Sequence, residues 1–439
     1  MTKEKRQSAA RVLVLGGYGF IGTAVVRALR SSGCEVCAAG RDDQLAARVL
    51  PGVDFVRADL RHLQAVSDWQ DKLVGFDTVV NCAGVLQDSP DDDLSAVHHS
   101  AVAAMAQAAE QLGVGVVQVS AVGAAKTAAT EFLRSKGRGD AELIQSGAKV
   151  WILRPGLVIG QGAYGGTGLL RMLAAIPWVQ PLALGQAPVQ SVALADLAQV
   201  VEAAVVGDLP PGEYDLVEDN AQTLKEVVAE TRNWLGFAPA RVTLPVPAWL
   251  AKIVGRVADQ LGRLGWRAPL RSTALQVLEQ GISGDPLPYR RATGQVLQPL
   301  GQIYAGLSAG QEQRLAARMA LMMPLSVAVL SLFWLLSGLV GLWQIGSAAA
   351  VLTDVGWPQW AAMSSVALWS LVDLSLGAAI LWRRWAASAC LAMVAVSVFY
   401  LAASTVFVPS LWADPLGPLV KVLPTLVLAL ITHQLVQSR

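Results

Sequence analysis

The apolar run 12–15 passes directly into glycines at 16, 19 and 22, and a helical pattern follows from Thr23. No other feature restricts the fold of this chain as strongly. A strand that ends on this spacing and restarts as a helix brings the first helical amides to one point. There, N–H groups and the positive end of the helix dipole can hold a pyrophosphate. Gly16 permits the tight turn, Gly19 lets the backbone approach the phosphates, and Gly22 lets helix and strand pack closely; Gly17, Tyr18, Phe20 and Ile21 complete the loop. The loop therefore predicts dinucleotide binding.

Beyond the loop, the strand-then-helix rhythm repeats. Strands are predicted over 12–15, 36–39, 55–58, 78–81, 116–120 and 150–153, with helices over 23–31 and 100–112 between them. The expected fold class is α/β, a Rossmann-type doubly wound parallel sheet whose ligand lies at the carboxyl ends of its strands. From Arg154 onward the pattern loosens into segments punctuated by proline and glycine, which predict a small C-terminal lobe, and helices follow over 247–262 and 272–280. The expected organisation is a polar tail over 1–10, a Rossmann domain with its substrate lobe over 11–240, a helical extension over 241–313 and a membrane domain over 314–439.

The last quarter differs in kind. Four apolar stretches, 319–343, 360–382, 385–408 and 417–436, are each long enough to cross a bilayer, which takes about 20 residues. Tryptophans stand at several of their ends, as expected at a membrane interface. They predict a four-helix transmembrane bundle. Arg314 and Arg318 precede the first stretch, Arg383 and Arg384 join the second to the third, and Arg439 follows the fourth. The loops 344–359 and 409–416 hold Asp354 and Asp414 but no lysine or arginine. The positive-inside rule then puts both termini and the nucleotide domain on the cytoplasmic side of the inner membrane, beside the reduced cofactor pool.

Composition removes other classes. A net charge of +1 gives no electrostatic case for nucleic acid. The segment 1–10 is charged and polar, without the apolar run of a secretory signal. Cys34 and Cys37 spell C-x-x-C, but a spacing of three along a strand points them to opposite faces, so neither a redox pair nor a zinc half-site is expected. The histidines, including the adjacent His98 and His99, have no metal-ligand spacing, and no metal site is expected.

Other cofactor residues follow from strand ends. Arg41, just after the second strand, suits a 2′-phosphate, which favours NADP(H) over NAD(H); its alternative is an ion pair with Asp42 or Asp43. Asp59 and Leu60 follow the third strand, where an aspartate reaches the adenine amino group. Asn81, Cys82, Ala83 and Gly84 follow the fourth, beside the nicotinamide ribose.

These residues, with Ser120 and Arg154-Pro155-Gly156, give the chain a resemblance to the atypical, extended branch of the short-chain dehydrogenase/reductase superfamily. The NADPH-binding accessory subunit of respiratory complex I belongs to that branch. The segments 334–339, 373–377 and 409–418 resemble the DoxX-like family. The first resemblance implies an NAD(P)-binding oxidoreductase, with Pro155 at the cofactor and Ser120 and Lys136 as catalytic residues. Its catalytic members carry Tyr-x-x-x-Lys, in which the lysine holds the ribose and lowers the phenol pKa. Here Lys136 is in place, but Phe132 stands where the tyrosine belongs. Phenylalanine transfers no proton, and a missing general acid costs about 10²–10⁴-fold in rate. Ser120, Thr127, Thr130 and Tyr164 are the hydroxyls that could substitute, although none has the tyrosine's spacing to Lys136.

Three readings stay open. The chain is a membrane-anchored reductase acting on a membrane-associated carbonyl or a quinone. Alternatively, it is a non-catalytic NADPH-binding module for sensing or for assembly with membrane-complex subunits. The third reading is an epimerase or dehydratase on a nucleotide-sugar or lipid-linked substrate. Asp373 and Lys421 fall inside apolar stretches, where a charge costs about 2.5–3.5 kcal/mol, and are expected to face the bundle interior, as a mutual structural pair or as a polar site for a quinone head group, unless Lys421 snorkels to the interface and meets Asp414.

Overall fold

The computed structural model describes residues 9–88, 92–266, 270–415 and 417–437. The first eight residues of the expected tail, Leu416 of the DoxX-like segment and Arg439 of the orientation argument lie outside the described residues. The chain divides into two compact units, Met1–Ala258 with Pro269–Arg314, and Asp259–Ala268 with Leu315–Arg439.

The first unit is built on a parallel seven-stranded sheet. Its strands are β1 (Arg11–Leu15), β2 (Glu35–Gly40), β3 (Asp54–Arg57), β4 (Thr78–Asn81), β5 (Gly115–Val119), β6 (Val150–Pro155) and β7 (Gly212–Leu216), in the order β7-β6-β5-β4-β1-β2-β3. Side chains alternate across β1. Val12 and Val14 pack with Val25, Leu29 and Val201 on one face, while Leu13 and Leu15 pack with Trp69, Leu73 and Met105 on the other. Helices cover both faces, which is why the strands read as unbroken apolar runs. The same division sends Cys34 to the first cluster and Cys37 to the second. Strand order reverses between β1 and β4, so a crevice opens at the carboxyl ends of these two strands, where Gly16 and the segment 82–84 lie.

A smaller lobe follows β6. It pairs Leu157–Ile159 with Ser191–Ala193, Pro188–Val189 with Gln222–Thr223, and Val179–Leu182 with Val242–Pro245. A separate core of Ile159, Leu170, Val189, Val227 and Leu300 holds it together. Buried Glu218 ties its segments by accepting from the Ser191 amide (2.9 Å) and hydroxyl (2.6 Å) and from the Leu300 amide (3.0 Å).

The second unit is helical. Gln311–Trp343, Gln359–Ala379 and Arg383–Phe407 are each long and apolar enough to cross a membrane. The fourth expected span is shorter: its helix is Val422–Gln437, 16 residues, or about 24 Å against a hydrocarbon core of about 30 Å. Pro424 stands in the first turn of this helix, where a missing N–H breaks no intrahelical bond, whereas Pro324 lies inside Gln311–Trp343. The stretch 344–359, expected as a loop, contains the helix Ile345–Thr353, whose run Ala348 to Leu352 holds no glycine or proline. Inside the unit, the Ser331 hydroxyl donates to the Gly377 carbonyl at 2.7 Å. The Arg383 amide donates to the Leu264 carbonyl (3.0 Å), its guanidinium to the Val436 carbonyl (2.8 Å), and its charge lies 5.6 Å from the Trp266 ring centroid.

Candidate nucleotide site

The glycine loop is bound to the neighbouring strand before any ligand is considered. The amides of Gly16 and Gly17 donate to the Ala39 carbonyl at 2.9 and 3.2 Å, and Gly16 has a φ of +67°. A Cβ on Gly16 would lie 3.0 Å from the Ala83 backbone, and one on Gly22 would lie 2.1 Å from the Gly16 carbonyl oxygen. No side chain fits at either position. The helix Phe20–Ser31 starts from Gly19 without a side-chain cap, so its first-turn amides keep their donors for an anion. A nicotinamide dinucleotide fits this cradle. Tyr18 braces the rim: its hydroxyl accepts from the Arg41 and Asp42 amides at 3.0 and 3.2 Å, while Ile21 packs into the core beneath the loop.

At the end of β2, Arg41 pairs with Asp92 at 3.0 Å rather than with Asp42 or Asp43. Asp42 instead caps the helix Asp43–Val49 by accepting from the Leu45 amide. Asp59 is gripped by Arg61 (2.6 Å), whose hydrogen bond holds its carboxyl below the usual range. Leu60 is buried in the core. Asn81 donates to Gln118 (2.9 Å) and accepts from the Ala83 amide (3.1 Å), which fixes the turn after β4. Burial pushes the Cys82 thiol up to about 12. Pro155 is buried at the end of β6, and its carbonyl accepts from the Val122 amide at 3.2 Å.

The opposite wall is the helix Glu131–Gln145, capped by Thr130, whose hydroxyl accepts from the Leu133 amide. Phe132, Lys136 and Asp140 are four residues apart and share one face. Buried Lys136 donates to the Val119 carbonyl at 3.1 Å, and its Nζ lies 5.9 Å from the centre of the Phe132 ring. Burial lowers its pKa, opposed by the charge of Asp140. Ser120 donates to Asp140 Oδ2 at 2.6 Å; Arg154 Nε lies 3.4 Å from the same oxygen, and Arg154 Nη2 donates to Glu213 at 2.6 Å. Asp140 Oδ1 is buried without a partner among the described residues. Burial pushes this carboxyl up, against the Ser120 hydrogen bond and the Arg154 charge. Thr130 is engaged as a cap, and Tyr164 is 63% exposed, so neither hydroxyl joins this face.

His98 lies in a π-helical stretch, Ala96–Ser100, that precedes the helix Ala101–Leu112. Its Nε2 accepts from the Val85 amide at 3.1 Å, which places the ring proton on Nδ1, 3.1 Å from the Ser135 hydroxyl. Ser135 donates onward to the Phe132 carbonyl at 3.1 Å, and the His98 ring meets the Phe132 ring edge-on at 5.8 Å. Burial, then Lys136, push the His98 pKa well below its ordinary value. His98, Gln118 and Asp140 are absent from the sequence-based site. Of these, Asp140 had a signal, its place one turn beyond Lys136. Among the described residues no group of three His, Cys, Asp or Glu side chains is arranged to hold a metal ion.

Residues 12–176 match the NAD dependent epimerase/dehydratase family, and residues 331–430 match the DoxX-like family. No curated protein matches the chain in sequence. Among solved structures, the chain is similar to the Bordetella bronchiseptica enzyme WbmG in complex with NAD: TM-score 0.51 at 18% identity, covering 71% of this chain and 94% of that one. The enzyme WbmH from the same organism, in complex with NAD+, gives 0.52 at 18%, covering 68% and 97%. An NADPH-dependent quinone oxidoreductase, QOR2 from Escherichia coli, gives 0.50 at 18%, covering 67% and 98%. At these identities the likeness is one of fold. The chain thus carries an N-terminal Rossmann-type domain of the NAD dependent epimerase/dehydratase kind and a C-terminal DoxX-like domain.

Proposed function

We propose that the protein is a membrane-anchored reductase that binds NADP(H) in preference to NAD(H) and reduces a quinone-type acceptor. The observation that carries this reading is Phe132 beside a retained Lys136. When bound, the reduced nicotinamide supplies hydride. In this assignment the loop Gly16 to Gly22 holds the pyrophosphate, Arg41 takes a 2′-phosphate in exchange for Asp92, and Asp59 and Leu60 flank the adenine. Asn81 to Gly84 and Pro155 flank the nicotinamide ribose, and Lys136 exchanges the Val119 carbonyl for ribose hydroxyls. Ser120 already donates its proton to Asp140, so it does not replace the tyrosine as acid. An aliphatic alkoxide is too basic to form without a proton donor. A reduced quinone is phenolic, with a pKa of about 10, and takes its proton later from water.

The DoxX-like helices would place this chemistry beside a bilayer holding such an acceptor. The arginine distribution supports an inner-membrane location with both termini cytoplasmic. A non-catalytic nucleotide-binding module is the second reading, favoured because Lys136 and His98 already have protein partners in the Val119 carbonyl, the Val85 amide and the Ser135 hydroxyl. Epimerase chemistry is supported by the family match over 12–176, but it needs the missing tyrosine most.

The test is purification of the full chain in detergent, identification of any released nucleotide, and stopped-flow oxidation of bound NADPH by a soluble quinone or an aldehyde. Quinone-dependent oxidation, lost in Lys136→Ala, is expected. Tight NADPH that no acceptor oxidises would establish the binding module instead. Arg41→Ala is expected to weaken NADPH about fivefold while leaving NADH unchanged.

A further inference from the structure

Within the second unit, Gln311–Trp343, Ile345–Thr353, Gln359–Ala379 and Arg383–Phe407 contribute to the lining of a cavity of about 340 Å³. Asp373, only 5% exposed, lines it. One carboxylate oxygen accepts from the Tyr400 hydroxyl at 2.8 Å and the other from the Ser337 hydroxyl at 2.7 Å. These contacts, rather than Lys421, satisfy the aspartate, and Lys421 itself is exposed. The walls are aromatic. Trp369 stacks on Phe399 at 4.6 Å and meets Tyr400 edge-on at 5.4 Å, while Trp357 meets Phe407 edge-on at 6.2 Å.

No lysine, arginine or histidine is among the lining residues. Asp373, held by two hydroxyls and beside aromatic rings, is thus the one charged side chain among the lining residues, in surroundings where an unpaired charge is costly. The hydroxyls of Ser337 and Tyr400 already point at Asp373 and leave its charge without a cationic partner among the lining residues. The volume falls in the range of small organic ligands and far exceeds that of a metal ion. We propose that this cavity binds an organic cation, an ammonium whose charge meets Asp373 and whose substituents lie against Trp357, Trp369 and Phe407. This site is independent of the nucleotide site and of its proposed chemistry.

The test is equilibrium dialysis of the full chain, in a maltoside detergent free of choline groups, against labelled benzyltrimethylammonium. Neopentylbenzene, its neutral isostere, is the comparison. Saturable binding of the ammonium and weaker binding of the isostere are expected. Asp373→Asn should weaken the ammonium about tenfold or more, and Trp369→Leu should also weaken it. Tyr400→Phe, which keeps the ring and the carboxylate, should retain binding. Trp369→Leu decides the matter if Asp373→Asn fails to fold. Displacement by a short-chain phosphatidylcholine but not by its phosphatidylglycerol analogue would make the source a lipid headgroup; no displacement would make it a free amine, and either supports the cation site. Absent ammonium binding, equal binding of the isostere, retention in both weakening variants, or displacement by a hydroquinone at lower concentration would overturn it.

Discussion

The glycine loop and the face of the helix Glu131–Gln145 belong to one Rossmann unit, yet they treat their polar groups in opposite ways. In the loop, the first-turn amides are left open and the backbone is pinned around them by the Ala39 carbonyl. At the helix face, Lys136 and the adjoining Ser120 and His98 have protein partners, while Asp140 Oδ1 lacks one among the described residues. A binding surface can be prepared in advance by leaving donors unmet. A proton-transfer face needs a group that can exchange its partner, and the Phe132 ring offers none. The difference teaches that nucleotide capture and carbonyl chemistry are separable in this fold.

The comparison breaks most completely at the loop. Gly22→Val adds a branched side chain where even Cβ would approach the Gly16 oxygen to 2.1 Å; fluorescence titration should show no measurable NADPH binding. On the helix face, Asp140→Ala leaves Arg154 and Ser120 without a buried partner. It should lower the stability of the first unit by about 3 kcal/mol in equilibrium unfolding, with Asp140→Asn losing less. Phe132→Tyr is expected to raise turnover of an aliphatic aldehyde about 10²-fold. No gain in that assay would mean that the tyrosine alone does not separate this face from a working one.

The smallest effect is graded with pH. The folded pKa of His98 lies well below the unfolded value of 6.5, so the unfolded chain takes up the proton first. Its contribution is fully present above 6.5 and is lost as pH falls below 6.5 towards the folded pKa. The slope is at most about 1.4 kcal/mol per pH unit. Unfolding of the first unit measured across this range should show the decline, and His98→Gln should flatten it.

The sheet was legible because strands buried on both faces, such as β1 with Val12 to Leu15, leave unbroken apolar runs that end on glycine. The edges of the six expected strands lie within one or two residues of the observed ones, and β4 coincides with 78–81, but the edge strand β7, Gly212–Leu216, was not expected. The π-helical stretch Ala96–Ser100 was not legible, since its apolar spacing matches that of an ordinary helix. Nor were the partners of the site. Ser120 meets Asp140 across 20 positions and Asn81 meets Gln118 across 37, and contacts between separate elements leave no local period. In the second unit, hydropathy marked the apolar stretches but not where the last helix starts, at Val422 rather than near Gly417.

Arg383 shows how one residue can carry two unrelated kinds of information. Its charge is one of those that argue for the orientation of the chain in a bilayer, a property a lysine would preserve. Its planar guanidinium also closes a clasp between the Val436 carbonyl at the far end of the chain and the Trp266 ring, a geometry a lysine cannot reproduce. Biogenesis and endurance of the helical unit therefore meet at a single side chain, and Arg383→Lys would part them, leaving insertion correct and the last helix unfastened.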